Sequence, residues 1–145
     1  MRGNGTEDIP KDTALELVRA YMADRASVVA AWVFGSTVKG KGWKRESDVD
    51  VAVYLRPDAA SLEAGERMRE ELKRELKTKV DVVVLNFAPL LLKYEVLREG
   101  VLVHCSDEDL RVDFEVRSLL EFYDLEPLRR RMTQEIFRMV REGKL

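Results

Sequence analysis

The sequence predicts an α/β (α+β) domain: a small mixed β-sheet with flanking helices, closed by C-terminal helices. Three observations carry this. Residues 27–34 (SVVAAWVF) form a dense apolar run of strand length. SDVDVAVYL, opening at Ser47, alternates with period two. The apolar segment at 80–86 follows a long charged stretch whose Leu62, Met68, Leu72 and Leu76 recur at helical spacing. With 145 residues, one core and one domain over 1–145 are expected.

Each element follows in chain order. Residues 1–10 read as a loose leader. Thr13-x-x-Glu16 signals a helix start, and Leu15, Val18 and Met22 place a helix over about 12–24. The apolar strand ends at Gly35-Ser36, and a glycine- and lysine-rich stretch follows before the alternating strand. Arg56-Pro57-Asp58 breaks that strand, and a charged helix covers about 59–79. The segment 80–86 is the third strand. Pro89 opens a short helix that Gly100 closes, and VLVHC is the last strand. The helical extension at 107–145 divides into two. Val112, Val116, Leu119, Leu120 and Tyr123 mark the core face of the first helix. Pro127 starts the second, with Leu128, Met132, Ile136 and Val140 packed on the domain.

Composition narrows the chemistry. A single cysteine, Cys105, leaves no internal disulfide, and a single histidine, His104, leaves little for a zinc site. Both fall in an apolar strand and read as structural. Net charge is −2 with 36% charged residues of both signs, so no global field draws nucleic acid, and none is expected to bind directly. Only Asn4, Asn86 and Gln134 carry side-chain amides, which with the many charged residues suggests heat adaptation. No apolar stretch is long enough for a membrane span, and the polar N-terminus has no signal-peptide core, so a cytoplasmic location is expected.

The chemistry rests on a combination. One strand closes in Gly35-Ser36, the next opens with Asp48-Val49-Asp50, and Asp81 interrupts the third. Residues i and i+2 of a strand share a face, about 6.6 Å apart along it, so Asp48 and Asp50 point together. Carboxylates held this close repel unless a cation lies between them, and Mg²⁺ is the natural oxygen-ligated choice. If the strands pair, Asp81 joins them. Three carboxylates can hold two ions about 3.5–4 Å apart, the arrangement used for in-line displacement at phosphorus. Gly35 lets backbone N–H groups approach an anion, and the Ser36 hydroxyl adds a donor, which together make a phosphate cradle. Lys39 and Lys41, with Lys44 and Arg45, could offset triphosphate charge. Any one of these features has a plain reading as a turn, a strand end or a solvated loop. Their conjunction in the right order favours function.

The segment VFGSTVKGKGWKRESDVDVAVYL resembles the signature of the DNA polymerase β-type nucleotidyltransferase superfamily, in particular its minimal (MNT) branch. VDVVVLNFAP followed by LLKYEVLREGVLVH is similar to the second half of that branch. The resemblance covers residues 28–104 and implies a nucleotidyltransferase fold. It implies that Gly35 and Ser36 bind the triphosphate, that Asp48, Asp50 and Asp81 are catalytic metal ligands for two Mg²⁺ ions, and that ATP is the substrate. MNT domains of this kind act as antitoxins of HEPN-domain RNase toxins and transfer AMP to a tyrosine of the partner. A hetero-oligomer with such a toxin is therefore expected. A small-molecule nucleotidyltransferase and a non-catalytic toxin-binding module are the alternatives. Arg129, Arg130, Arg131, Arg138 and Arg141 near the C-terminus are expected to help dock the partner.

Overall fold

The computed structural model describes residues 9–35, 42–43 and 49–144. Ser36, Lys39, Lys41 and Asp48 of the expected site, with Lys44 and Arg45, lie outside these residues. The elements are β1 (Ile9–Pro10), α1 (Lys11–Ala23), β2 (Val28–Phe34), β3 (Gly42–Trp43), β4 (Val49–Leu55), α2 (Leu62–Leu76), β5 (Val80–Val84), α3 (Leu90–Glu99), β6 (Val101–Cys105) and α4 (Glu108–Arg141). Single 3₁₀ turns at Pro57–Ala59 and Leu85–Phe87 follow β4 and β5.

Four strands form one sheet in the order β5-β4-β2-β6, and β1 pairs antiparallel with β3 beside it. Strand β4 is antiparallel to β2 and parallel to β5, so the sheet is mixed. The parallel pair is joined through α2, because a parallel connection needs a crossover. Helix α2 is capped by the Ser61 hydroxyl, which accepts from the Ala64 N–H at 3.0 Å, and ends at Lys77 in the left-handed conformation. The expected strand at 80–86 stops at Val84. Asn86 instead turns back to β4, its Oδ1 accepting from the Leu55 N–H and its Nδ2 donating to the Leu55 carbonyl, each at 2.9 Å. The 3₁₀ turn at Leu85–Phe87 brings the Asn86 amide to this position.

Both faces of the sheet are covered. On one face Ala31, Val33, Val51 and Val53 meet Val18 and Met22 of α1 and Leu72 of α2. On the other, Trp32, Ala52 and Tyr54 meet Val96 of α3 and Phe114 of α4. This double covering explains why β2 and β4 are apolar along nearly their whole length. The Tyr21 hydroxyl donates to Glu71, and Arg25 pairs with the same carboxylate at 3.1 Å, tying α1 to α2.

The C-terminal region differs from expectation in two ways. It is one continuous 34-residue helix, with Pro127 inside it, where two helices were expected. Proline removes one donor and its ring crowds the carbonyl that donor would have served, but that carbonyl belongs to exposed Tyr123, where water can substitute. The buried face is also different. Phe114, Ser118 and Phe122 point inward, while Val112, Val116, Leu120 and Tyr123 are exposed. Ring stacking selects this rotation: Phe114 lies 4.1 Å from the Tyr54 ring and Phe122 lies 3.7 Å from the Tyr94 ring. Nor do Leu128, Met132, Ile136 and Val140 pack on the domain; they are 46%, 54%, 52% and 56% exposed. The helix is about 51 Å long, against about 23 Å for a seven-residue strand, so it must outrun the sheet.

His104 lies on edge strand β6 opposite Ala31, and its buried Nε2 finds no partner among the described residues. Burial holds its pKa below the ordinary histidine value. A base with a lowered folded pKa stabilises the fold above its unfolded value, about 6.5, and that contribution is lost as pH falls through the folded value. The His104 ring resonance in a proton NMR titration should therefore have its midpoint below about 6.5. A midpoint at or above that value contradicts the burial.

Candidate active site

Three strand ends meet at one edge of the fold. The last residue of β2, Phe34, pairs with Asp50, the second residue of β4, and Asp50 pairs in turn with Asp81, the second residue of β5. Register partners on neighbouring strands point to the same side, about 4.8 Å apart across the sheet. Asp50 and Asp81 thus share the face covered further along by α3 and α4. The valines set this pleat. Val49, Val51 and Val53 are fully buried on the opposite face, and Val80 and Val84 do the same for β5. A slip of one residue would bury both carboxylates and expose these valines. Asp50 is half-buried and Asp81 is exposed, so the pair faces outward from the strand ends.

Gly35 completes the arrangement. Its φ of +77° lies in the left-handed region, and a Cβ there would stand 2.5 Å from Oδ2 of Asp50. Glycine is needed twice: for the turn that ends β2, and for room beside the carboxylate. The expected glycine role, close approach of an anion to backbone N–H groups, is compatible with the same turn.

On the far side of Asp81 is a cleft of about 480 Å³, lined by Glu66, Arg69 and Lys73 of α2 with Lys79, Val80 and Asp81 of β5 and its approach. Arg69 pairs with Glu66 at 3.0 Å and Glu70 at 2.9 Å. Its pKa is held above the ordinary value by the Glu66 hydrogen bond first, with Glu70 and Asp81 adding attraction. These basic residues were not picked out from the sequence. In a helix as charged as α2 nothing marks Arg69 and Lys73, four residues apart, until the crossover sets that face beside β5.

The structure brings together Gly35, Asp50 and Asp81 from three separate segments. Two carboxylates in register, with a side-chain-free position pressed against one of them, are oxygen ligands of the kind a hard divalent cation takes. No cluster of three metal-ligating side chains occurs among the described residues, which do not include Asp48.

Residues 16–109, 94 of the 145, match the family described as Polymerase beta, Nucleotidyltransferase. The chain belongs to that family, and is a nucleotidyltransferase by fold and by sequence. Solved structures of similar fold include a toxin–antitoxin complex with AMP-PNP (22% identity, TM-score 0.69, 89% of this chain and 99% of that one). Another is a tri-AMPylated Shewanella oneidensis HEPN toxin in complex with an MNT antitoxin (20% identity, TM-score 0.68, 88% and 98%). A third is described as a minimal nucleotidyltransferase (27% identity, TM-score 0.53, 64% and 95%). Among curated proteins no sequence match is found. No helix among the described residues is long and apolar enough to cross a membrane.

Proposed function

We propose that this chain transfers AMP from ATP to a hydroxyl, that the acceptor is a tyrosine of a HEPN-type RNase toxin, and that the chain is that toxin's antitoxin. The observation that carries the chemistry is the register of Asp50 on Asp81, with Gly35 against the Asp50 carboxylate. The solved complexes of similar fold support the donor and the partner, one through AMP-PNP and one through an AMPylated HEPN toxin.

In the reaction, the acceptor oxygen attacks the α-phosphorus of ATP. A new O–P bond forms, the bond to the β-phosphate oxygen breaks, pyrophosphate leaves and the hydroxyl proton passes to solvent. Asp50 and Asp81, with Asp48 expected beside them, would hold two Mg²⁺ ions. Such ions acidify the attacking hydroxyl and neutralise charge on the leaving group. The protein's own part is positioning. The rigid β4–β5 register fixes the two carboxylates, and the Gly35 turn, followed by Ser36, would seat the phosphates. Lys39 and Lys41 would neutralise charge on the triphosphate. Mass spectrometry of a candidate HEPN partner incubated with this chain, ATP and Mg²⁺ tests the proposal. An AMP adduct on a tyrosine is expected. An unmodified partner that is nonetheless neutralised would leave only a binding module.

Helix α4 favours a protein acceptor over a small molecule. It starts beside Val29 and Arg56, passes Tyr54 and stacks Phe122 on Tyr94 of α3. The C-terminal end of α3 lies against Phe34, the residue paired with Asp50. The free half of α4 therefore emerges at the carboxylate end of the sheet, carrying an apolar stripe that is exposed among the described residues. The arginines expected to steer docking are partly neutralised on their own helix: Arg129 and Arg130 pair with Glu126, and Arg138 pairs with Glu135 and Glu142. The stripe is the stronger docking candidate. Met132→Asp combined with Ile136→Asp should weaken association with the toxin by about a hundredfold or more, the size of two interface anchors lost. Nucleotide affinity and melting temperature should hold, because both side chains are exposed. Wild-type association would remove α4 from the interface.

A further inference from the structure

We propose that the cleft between α2 and the start of β5 is a second phosphate subsite, in which Lys73 and Lys79, supported by Arg69, take a phosphate group on the side of Asp81 away from Gly35. The proposal rests on the nucleotidyltransferase reading of the Asp50–Asp81 pair and deepens it.

The order of groups across the sheet carries the argument. Gly35 follows β2, Asp50 is on β4, Asp81 is on edge strand β5, and the cleft lies beyond Asp81. In an in-line displacement the entering and leaving oxygens are on opposite sides of the phosphorus. With the triphosphate tail at the Gly35 turn, the Asp81 side is where the acceptor enters. The cleft is large enough for a phosphate and part of its carrier, at about 480 Å³. It holds three cationic side chains against the two carboxylates of Glu66 and Asp81. Glu66 is already engaged by Arg69. Lys73 and Lys79 form no ion pair among the described residues, and both are exposed. Lysines placed beside the Asp81 carboxylate, with no ion pair of their own among the described residues, suit a phosphate, whose oxygens accept from several ammonium donors at once.

That phosphate has two candidate sources: one carried by the acceptor, or one belonging to the donor nucleotide. Calorimetric titrations of wild type and of Lys73→Glu combined with Lys79→Glu, in Mg²⁺, separate them. The first titrant is AMP-PNP. The second is AMP added to protein saturated with AMP-PNP, so that AMP reports a phosphate on the acceptor side. We expect AMP to bind wild type under these conditions and to bind the variant at least about tenfold more weakly, with AMP-PNP affinity changed less than about twofold. A parallel loss of AMP-PNP affinity would still support a phosphate subsite and assign it to the donor. If neither affinity changes, the subsite is refuted. Failure of the underlying reading looks different, because AMP-PNP would then fail to bind wild type in Mg²⁺ at all. The same titration with Lys73→Arg and Lys79→Arg should restore AMP binding, which loss through altered packing would not. Circular dichroism melting of each variant reports that the fold is intact.

Discussion

Replacing Asp50 with asparagine is expected to lower AMP transfer by about 10³-fold or more while the fold survives, since metal assistance of the kind it would supply contributes several kcal/mol of transition-state stabilisation. The carboxylate is one of two that the β4–β5 register places on the same face, and it is the one Gly35 leaves room for. Asparagine keeps the shape and loses the charge that would bind a cation. The strand should not suffer, because β4 is held by the buried Val49, Val51 and Val53 on its other face. Without metal the variant should melt no lower than wild type, since one member of a like-charged pair has been neutralised. Transfer rates and thermal melts of both proteins check this. A variant that transfers at near-wild-type rate would remove Asp50 from the chemistry.

Gly35→Val is the second change with a large expected effect. Valine in the left-handed region costs roughly 1–2 kcal/mol in backbone strain, and more for a β-branched side chain. Its Cβ would also stand 2.5 Å from Oδ2 of Asp50, so the carboxylate must rotate or the turn must open. Either response displaces the group at the centre of the site. Destabilisation of about 2–3 kcal/mol is expected, together with loss of AMP-PNP affinity. Gly35→Ala separates the two causes. It has the smaller backbone strain but the same Cβ, so it should lose most of the nucleotide affinity at a lower stability cost. Calorimetry and melting curves on both variants provide the comparison. Wild-type affinity in Gly35→Ala would show that the close approach to Asp50 does not matter.

The carboxylate pair was legible in the sequence because strand alternation is unambiguous there. Valines at 49, 51 and 53 can only be the buried set, which forces Asp50 outward, and Asp81 interrupts a run that is otherwise apolar. What the sequence could not supply was register. That Asp50 faces Asp81, and not Val80 or Val82, is a fact of the β4–β5 pairing across the long connection from Leu55 to Val80. The face of α4 was misread for a related reason. The helix carries two apolar stripes, and periodicity cannot say which is buried. The aromatic stripe of Phe114 and Phe122 turns inward because Tyr54 and Tyr94 offer it stacking partners from distant segments. Pro127 suggested a helix boundary, yet the helix continues through it along a stretch whose neighbours Tyr123 and Leu128 are exposed. The cleft residues Arg69, Lys73 and Lys79 became visible only once α2 was seated along β5.

The proposed divalent-metal site is at Asp50 and Asp81, on the strand edge beside Gly35. Crystals grown with AMP-PNP and Mn²⁺ test it most directly, because anomalous scattering locates the metal without assumptions about its ligands. An anomalous peak is expected between the Asp50 and Asp81 carboxylates, with the nucleotide phosphates reaching it from the Gly35 side. Manganese bound to the phosphates alone, with neither carboxylate coordinating it, would remove both aspartates from the metal site.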